Sequence, residues 1–350
     1  MPGPFAFSAI VWTIVPPLPM HREPHTARNS GAFAAVGVLG ATSFVGQSAL
    51  ARLQRSGPQR SALDGLGSTT ADSPETPVFA FSRAGVPPVA KSVSGGIRWH
   101  QLPVSPSVWQ ASIPHWIAVC PLWAVPEQFP LLEAAGARRL VALSSTSRFT
   151  KRDSAAASER AIAARLAVAE DEVLDWARAR GIAATILRST MIYDGIHDRN
   201  VARIARFIRR VGFYPVAGAA TGLRQPIHAD DVAAACQAAL GCDGLHDAYE
   251  ISGGETLTYR DMVQQIFIWL DRLPRLVTIP LPLVRAAAPL VSLLPGLEFL
   301  PTTAIRMNED LVFDHAAAAQ DFGFQPRAFS LPFRPDSNHA AGSPHRISTP

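Results

Sequence analysis

Glycine and hydroxyl residues with a regular spacing lie in the sequence AAVGVLGATSFVG, residues 34–46. Gly40, Ser43 and Gly46 occupy the three positions of a G-x-x-G-x-x-G turn between an apolar strand and the helical sequence QSALARLQ. Gly40 permits a tight turn and Gly46 permits close packing, so N–H groups at the helix start can bind a pyrophosphate. Ser43 crowds this approach slightly but offers a hydroxyl. An ordinary strand-to-helix turn is the alternative. The other residues of the predicted dinucleotide-binding turn are Thr42, Phe44 and Val45.

The end of the second predicted strand carries Ser82 and Arg83. An acidic residue there would accept hydrogen bonds from the adenosine ribose of NAD, and it would repel a 2′-phosphate. Serine followed by arginine can instead bind that phosphate, because a guanidinium forms charge-assisted hydrogen bonds with phosphate oxygens. The pair therefore favours NADP, with NAD as the alternative cofactor. A solvated Arg83 in a loop is the competing interpretation.

Short apolar runs alternate with helical patterns from residue 34 onward, which is typical of βαβ units. The predicted strands are residues 34–39, 78–82, 97–101, 116–120, 140–144 and 183–187. The fold class is α/β, a Rossmann-type doubly wound parallel sheet with a smaller C-terminal substrate-binding part. The predicted divisions are a disordered or mis-assigned N-terminal extension at 1–33, an NAD(P)-binding Rossmann domain at 34–190, the substrate-binding part at 191–330 and a disordered tail at 331–350.

Composition limits the classes of partner. The chain has 32 basic and 28 acidic residues without a basic block, which argues against a nucleic-acid partner. Its three cysteines lack CxxC spacing, and the H-x-x-x-H pair, His21 and His25, lies in the N-terminal extension, so no metal is predicted.

No apolar run suits a transmembrane helix. Residues 279–301 are apolar but contain five prolines, predicting broken helices and leaving open a weak membrane-surface contact or a hydrophobic ligand. A cytoplasmic location is expected.

Several segments together resemble the atypical and extended short-chain dehydrogenase/reductase superfamily, and NAD-dependent epimerase/dehydratase-like proteins within it. They are GATSFVG, LSSTS, ILRSTMIYDG, RQPIHADDVA and YEISGGETLTYRDM. The resemblance implies a nicotinamide cofactor at the carboxyl ends of the strands, with Ser144 and Arg188 beside it, and a catalytic role for Thr146. It also implies that Arg224 binds a substrate diphosphate, although an arginine that anchors a loop is equally common.

The motif RQPIHADD contains further polar residues, namely His228, Asp230 and Asp231. His228 and Asp231 are interpreted as structural. Asp230 or Asp231 is expected to cap the helix that follows, because aspartate side chains accept hydrogen bonds from N–H groups at helix starts.

One catalytic pair of that superfamily is missing from the sequence. Its reductases and epimerases use a tyrosine four residues before a lysine, which lowers the pKa of the phenol. The lysines here are Lys91 and Lys151, and Pro87 and Ser147 stand four residues before them. The helix predicted at residues 154–178 instead carries an apolar stripe. That stripe is Ile162, Leu166, Ala169, Val173 and Trp176.

Two other side chains are candidates for proton transfer. Lys151 follows the fifth strand near the expected nicotinamide, where it could act as an acid or base; a solvated loop lysine is the alternative. Tyr193 lies near the cofactor by motif, and simple packing is its alternative.

Two functions remain open. The first is an NAD(P)-dependent oxidoreductase, epimerase or dehydratase acting on a sugar-nucleotide or another polar carbonyl compound. The second is a non-catalytic NADP(H)-binding redox sensor or accessory subunit. The missing pair favours the sensor, but the intact substrate-side motifs favour the enzyme, which is the preferred interpretation of the sequence. The sequence indicates neither the substrate nor the oligomeric state.

Overall fold

A computed structural model describes residues 33–55, 76–85, 96–292 and 304–331. The expected N-terminal extension, apart from Phe33, and the expected tail, apart from Leu331, lie outside the described residues, as do His21 and His25.

The strands and helices are numbered in chain order. The strands are β1 (Val36–Leu39), β2 (Val78–Ser82), β3 (Ile97–Gln101), β4 (His115–Ala118), β5 (Arg139–Ser145), β6 (Ala183–Ser189), β7 (Ile192–Tyr193), β8 (Tyr214–Ala217), β9 (Leu223–Arg224), β10 (Ile227–His228), β11 (Ala248–Ile251), β12 (Leu257–Thr258) and β13 (Leu276–Ile279). The helices are α1 (Phe44–Arg55), α2 (Phe129–Ala134), α3 (Ser147–Thr150), α4 (Ala157–Ala179), α5 (Val201–Val211), α6 (Ala229–Leu240), α7 (Tyr259–Trp269), α8 (Leu281–Ser292) and α9 (Ala316–Phe322).

The central sheet has seven strands in the order β3-β2-β1-β4-β5-β6-β11, and every neighbouring pair is parallel. The order reverses direction at β1 and β4, which is the topological switch point of a doubly wound sheet. The predicted Rossmann-type α/β fold is confirmed. All six predicted strands are present, with ends shifted by at most two residues.

Helices cover both faces of this sheet because its strands are apolar on both sides. Val36 and Val38 of β1 pack toward α1 and α6, whereas Ala35 and Leu39 pack toward α2 and α4. In a sheet of this kind, ligands bind at the carboxyl ends of the strands, between the two helix layers.

The seventh strand of the sheet, β11, comes from the chain beyond residue 190. β11 pairs with β6, and α6 packs against α1 on the sheet, although both elements follow residue 190. The chain thus leaves the sheet after β6 and returns to it with α6 and β11. A smaller core of α5, α7 and the end of the described chain forms the rest of the C-terminal part.

The proline-rich segment at 279–301 is partly described. It forms a helix from Leu281 to Ser292, with Pro282 in the first turn, where proline costs no hydrogen bond. Among the described helices, none combines the length and hydropathy needed to cross a bilayer.

Candidate functional site

The phosphate turn connects β1 to α1. Gly40 has a φ of +81°, and a Cβ at this residue would lie 2.6 Å from the main-chain nitrogen of Cys120. A Cβ at Gly46 would lie 2.3 Å from the carbonyl oxygen of Gly40. Both distances are far below van der Waals contact, so only glycine fits at either position. The two outer positions of the glycine pattern therefore have the tight-turn and close-packing geometry that the sequence predicts.

The middle position, Ser43, serves as a cap of α1. Its Oγ accepts a hydrogen bond from the N–H of Gly46 at 3.0 Å, and its carbonyl oxygen accepts one from Gln47 at 2.8 Å. This is an N-cap interaction, which stabilises a helix start. The N–H groups of Phe44 and Val45, as the first two of the helix, have no intrahelical acceptor and can meet an anion. The Ser43 hydroxyl keeps its own proton for donation.

The end of β2 lies against the same turn. Ser82 is buried, and its Oγ is 2.8 Å from Oγ1 of Thr42 while accepting the N–H of Ala84 at 3.1 Å. These bonds tie the end of β2 to the phosphate turn. Arg83 is exposed, and the structure gives it no hydrogen bond or ion pair among the described residues. Arg83 is thus an exposed cation that lines this end of the cleft.

Together these residues line a cleft of about 310 Å³ at the carboxyl ends of β1, β2 and β4. Cys120 forms part of the wall, and burial raises the pKa of its thiol to about 11. The thiol is therefore protonated at neutral pH and is not a nucleophile. In the part of the chain that the structure describes, no three His, Cys, Asp or Glu side chains cluster as metal ligands would.

A buried carboxylate, Glu170 of α4, organises the next part of the sheet edge. It has no exposed surface, and Oε1 accepts the hydroxyl of Ser144 at 2.5 Å. Oε2 accepts from Nη1 of Arg148 at 2.6 Å and from Nη2 of Arg188 at 2.8 Å. Arg188 also donates to Glu250 at 3.0 Å. Ser144 and Arg188, which the resemblance assigns to the cofactor, are thus both held by Glu170.

Sequence reasoning missed Glu170, although a signal was present. Glu170 follows Leu166 by four residues and precedes Val173 by three, so it lies on the apolar face of α4. A carboxylate in the middle of a buried stripe requires partners, because an unpaired buried charge is costly. Of the predicted stripe, only Ile162 is exposed, at 38%.

The predicted catalytic Thr146 is buried at the end of β5. Its hydroxyl donates to the carbonyl oxygen of Ser189 at 3.2 Å, and its N–H bonds the same oxygen at 3.0 Å. Both contacts join β5 to β6.

Lys151 lies between α3 and α4 and is 24% exposed. Its Nζ is 3.1 Å from Oε1 of Glu159, whose other oxygen is 3.1 Å from Nη1 of Arg306. Glu159 also accepts the hydroxyl of Ser154 at 2.8 Å. We call these four residues the Glu159 clasp. It joins the start of α4 to the C-terminal segment.

Tyr193 has no exposed surface. Its hydroxyl donates to the carbonyl oxygen of Ser330 at 3.0 Å and accepts the N–H of Ser330 at 3.1 Å, while its ring packs against Phe329. Burial raises the pKa of this phenol. The packing alternative fits this environment, and the geometry gives no support to Tyr193 as a proton donor.

Arg224 is buried, and main-chain carbonyls hold its guanidinium. Nη1 donates to Leu223 at 2.7 Å and to Glu309 at 2.6 Å, and Nη2 donates to Arg306. The guanidinium also lies 5.4 Å from the ring centre of Tyr259. Of the two interpretations, the loop anchor is the one that these contacts favour, since Nη1 and Nη2 both donate to main-chain carbonyls.

The expected helix cap in the same motif needs correction. The N-cap of α6 is His228, whose Nδ1 accepts the N–H of Asp230 at 3.1 Å. Asp231 instead accepts from the N–H of Arg327 at 3.0 Å, and Asp230 pairs with Arg52 at 3.1 Å. The aspartates are drawn to arginines from other parts of the chain, which leaves the neutral imidazole to cap the helix. Burial lowers the pKa of His228, consistent with an acceptor nitrogen.

No family model matches the sequence. The chain is 34% identical to the mitochondrial NADH dehydrogenase [ubiquinone] 1 alpha subcomplex subunit 9 of Arabidopsis thaliana, over 41% of this chain and 38% of that protein. The aligned part thus spans well under half of that relative's length.

Two solved structures share the fold. One is the dTDP-glucose 4,6-dehydratase DesIV of Streptomyces venezuelae with NAD bound, with a TM-score of 0.59, 16% identity, and coverage of 84% of this chain and 92% of that one. The other is the UDP-N-acetylglucosamine 4-epimerase of Bacillus cereus, with a TM-score of 0.58, 12% identity, and coverage of 84% and 94%. The chain therefore shares the fold of this dehydratase and this epimerase, and the predicted resemblance to NAD-dependent epimerase/dehydratase-like proteins is confirmed at the level of the fold.

Proposed function

We propose that this protein binds a nicotinamide dinucleotide, with NADP preferred, and serves as a cofactor-binding accessory subunit or sensor rather than as a reductase or epimerase. One observation carries the proposal. The phosphate turn borders an open cleft of about 310 Å³, whereas the candidate proton-transfer side chains on the same sheet edge are bonded to neighbouring protein groups.

The cofactor fits the turn on steric grounds. At Gly40 and Gly46 a Cβ would collide with the main chain, so the two glycines allow the strand and the helix to approach closely. The N–H groups of Phe44 and Val45 and the hydroxyl of Ser43 would hold the pyrophosphate. A bound nicotinamide would supply hydride transfer, and such chemistry usually needs a protein group that exchanges a proton.

The contacts of Thr146 and Tyr193 do not support either side chain as that proton-exchanging group. Thr146 bonds to Ser189 and Tyr193 bonds to Ser330, both away from solvent. Tyr193 has no exposed surface, and Thr146 is only 6% exposed, so neither hydroxyl is presented to a substrate in this conformation. The sequence also lacks a tyrosine four residues before either lysine.

The relatives support both halves of this proposal. The DesIV structure contains NAD, in agreement with a nicotinamide dinucleotide for this fold. The Arabidopsis relative is named as a subunit of NADH dehydrogenase, in agreement with a role as part of an assembly.

Preference for NADP would come from Arg83. A charged hydrogen bond to the 2′-phosphate is worth roughly ten- to a hundredfold in affinity. Calorimetric titration should show NADPH binding more tightly than NADH, and Arg83→Ala should remove that difference while leaving NADH binding unchanged. Arg199→Ala, another exposed arginine, is the control for a general loss of charge. Tighter binding of NADH by the natural protein would reject the NADP assignment.

A second candidate is an oxidoreductase, epimerase or dehydratase of the same fold that acts on a sugar-nucleotide or another polar carbonyl compound. It is favoured by the partial exposure of Lys151, whose ion pair with Glu159 a ligand could displace. Nicotinamide absorbance, measured with a panel of sugar-nucleotides and carbonyl compounds, separates the two functions. The accessory role predicts no change with any member, and turnover that Lys151→Met abolishes would establish the enzyme.

A further inference from the structure

One face of the C-terminal part exposes many apolar side chains. It is formed by two stretches of chain, one from α5 through β8 and the other from the end of α7 through β13 to the start of α8. We call it the arginine face. Eight of the fourteen exposed large apolar side chains of the described residues belong to these segments. They are Phe207, Val211, Phe213, Ile268, Leu273, Val277, Ile279 and Leu283.

Direct contacts join the segments of this face. β13 pairs in parallel with β8, from Leu276 opposite Tyr214 to Ile279 opposite Ala217. The loop after α7 meets the end of α5, where Nη1 of Arg272 donates to the carbonyl oxygen of Ile208 at 2.9 Å. These contacts, with the ring contact of Phe207 and Phe213, place the segments side by side, so their exposed side chains lie in one region of the C-terminal part.

The charge of the same segments is strongly one-sided. Residues 199–217 and 268–287 contain eight arginines, and Asp271 is the single acidic residue. The whole chain, in contrast, is nearly balanced, with 32 basic and 28 acidic residues. The arginines are Arg199, Arg203, Arg206, Arg209, Arg210, Arg272, Arg275 and Arg285.

We propose that the arginine face docks the protein on a membrane surface that contains anionic phospholipid. Apolar side chains flanked by arginines suit the boundary between headgroups and acyl chains, where the cations pair with lipid phosphates. The charge selects this partner over a second copy of the chain, since two such faces would bring arginines together with only one aspartate each. α8 has 12 residues, which is too short to span a bilayer, so the contact is with the surface.

Co-sedimentation with vesicles tests the proposal. The full chain should pellet with phosphatidylcholine vesicles that contain about 30 mol% phosphatidylglycerol but not with phosphatidylcholine alone, and roughly 0.5 M NaCl should release it. Each arginine near an anionic surface is worth about fivefold in binding, so R275Q/R285Q should bind about 25-fold more weakly. L273D/L283D should also lose binding, because it removes the inserting side chains.

The control is V108D/I196D, which places the same charges at exposed apolar positions outside the face. It should bind like the natural protein, and thermal unfolding should show that all variants are folded. Failure of the natural protein to pellet with anionic vesicles would overturn the proposal, as would equal loss of binding in the control. Self-association in the absence of lipid that L273D/L283D abolishes would identify a second copy as the partner instead.

Discussion

Two regions of one sheet edge are built in opposite ways. At the ends of β1 and β2 an open cleft of about 310 Å³ lies beside the tightly packed turn of Gly40 and Gly46. At the ends of β5 and β6 the chain fills the edge with polar side chains that bond to each other, centred on Glu170. The first region can receive a ligand, whereas the second has satisfied its own hydrogen bonds.

Under the proposed function, the fold keeps a cofactor site while the side chains expected for catalysis bond to neighbouring protein groups. Hydrogen-bonding groups that serve catalysis must be left available for the substrate, and a buried unpaired group costs stability. Here Ser144, Arg188 and Thr146 are used to join β5, β6 and α4. These hydrogen bonds connect two neighbouring strands and a helix.

The largest expected effect is a loss of stability when the hydrogen bonds of the second region are removed. Glu170→Ala removes the partner of Arg148, Arg188 and Ser144, and breaking a buried ion pair costs about 3–5 kcal/mol. The free energy of unfolding, measured by urea titration, should fall by that amount.

Glu172→Ala is the matched control, because Glu172 is an exposed glutamate on the same helix. It should change stability by less than about 0.5 kcal/mol. If the two regions are independent, folded Glu170→Ala protein should bind NADPH within about twofold of the natural affinity. A large loss of affinity would show that Glu170 also supports the cofactor.

A smaller effect is expected in the first region. Gly46→Ala places a Cβ against the carbonyl of Gly40, and such overpacking costs about 1–3 kcal/mol of stability. Moving α1 away from β1 displaces the N–H groups that would bind the pyrophosphate, so NADPH affinity should fall by roughly a hundredfold. Calorimetry and thermal unfolding measure the two losses.

Gly181→Ala controls for the general cost of replacing a glycine. Gly181 has a φ of +64° but open space around its Cβ position, so only backbone strain of about 1 kcal/mol is expected. Its NADPH affinity should equal that of the natural protein. A Gly46→Ala variant that bound NADPH normally would remove the phosphate turn from the proposed site.

The sequence predicts the first region better than the second for a physical reason. The phosphate turn is local, since its strand, turn and helix occupy consecutive residues and the glycine spacing records their packing. Most of the six predicted strands are likewise local signals, because they are short apolar runs of consecutive residues. β11 was missed because Ala248–Ile251 is short and contains Glu250, which pairs with Arg188 of the neighbouring strand.

Candidate side chains outside the phosphate turn depend on distant partners. The hydroxyl of Tyr193 bonds to Ser330, 137 residues later, and Arg224 is held by Glu309, 85 residues later. No spacing rule in a single sequence records such contacts. Residue type predicted that these groups could act on a substrate, and only the fold shows which protein atoms already occupy them.

The smallest effect concerns the Glu159 clasp at the border of the second region. Burial raises the pKa of Glu159, but the Ser154 hydrogen bond and the charges of Lys151 and Arg306 outweigh it and hold the pKa below its ordinary value of 4.5. A carboxyl with a lowered folded pKa stabilises the fold above its unfolded pKa, and this contribution disappears as the pH falls through the folded pKa.

Glu159→Gln should therefore lower the free energy of unfolding near pH 7 by up to about 1 kcal/mol, the usual limit for partly exposed pairs. The deficit should shrink as the pH drops below about 4.5, because the natural carboxyl then loses its charge as well. Thermal unfolding of both proteins across this range measures it, with Asp153→Asn, an exposed neighbour, as the control. A deficit that stayed constant with pH would mean that Glu159 acts through packing, and the charged clasp would not be what joins α4 to the C-terminal segment.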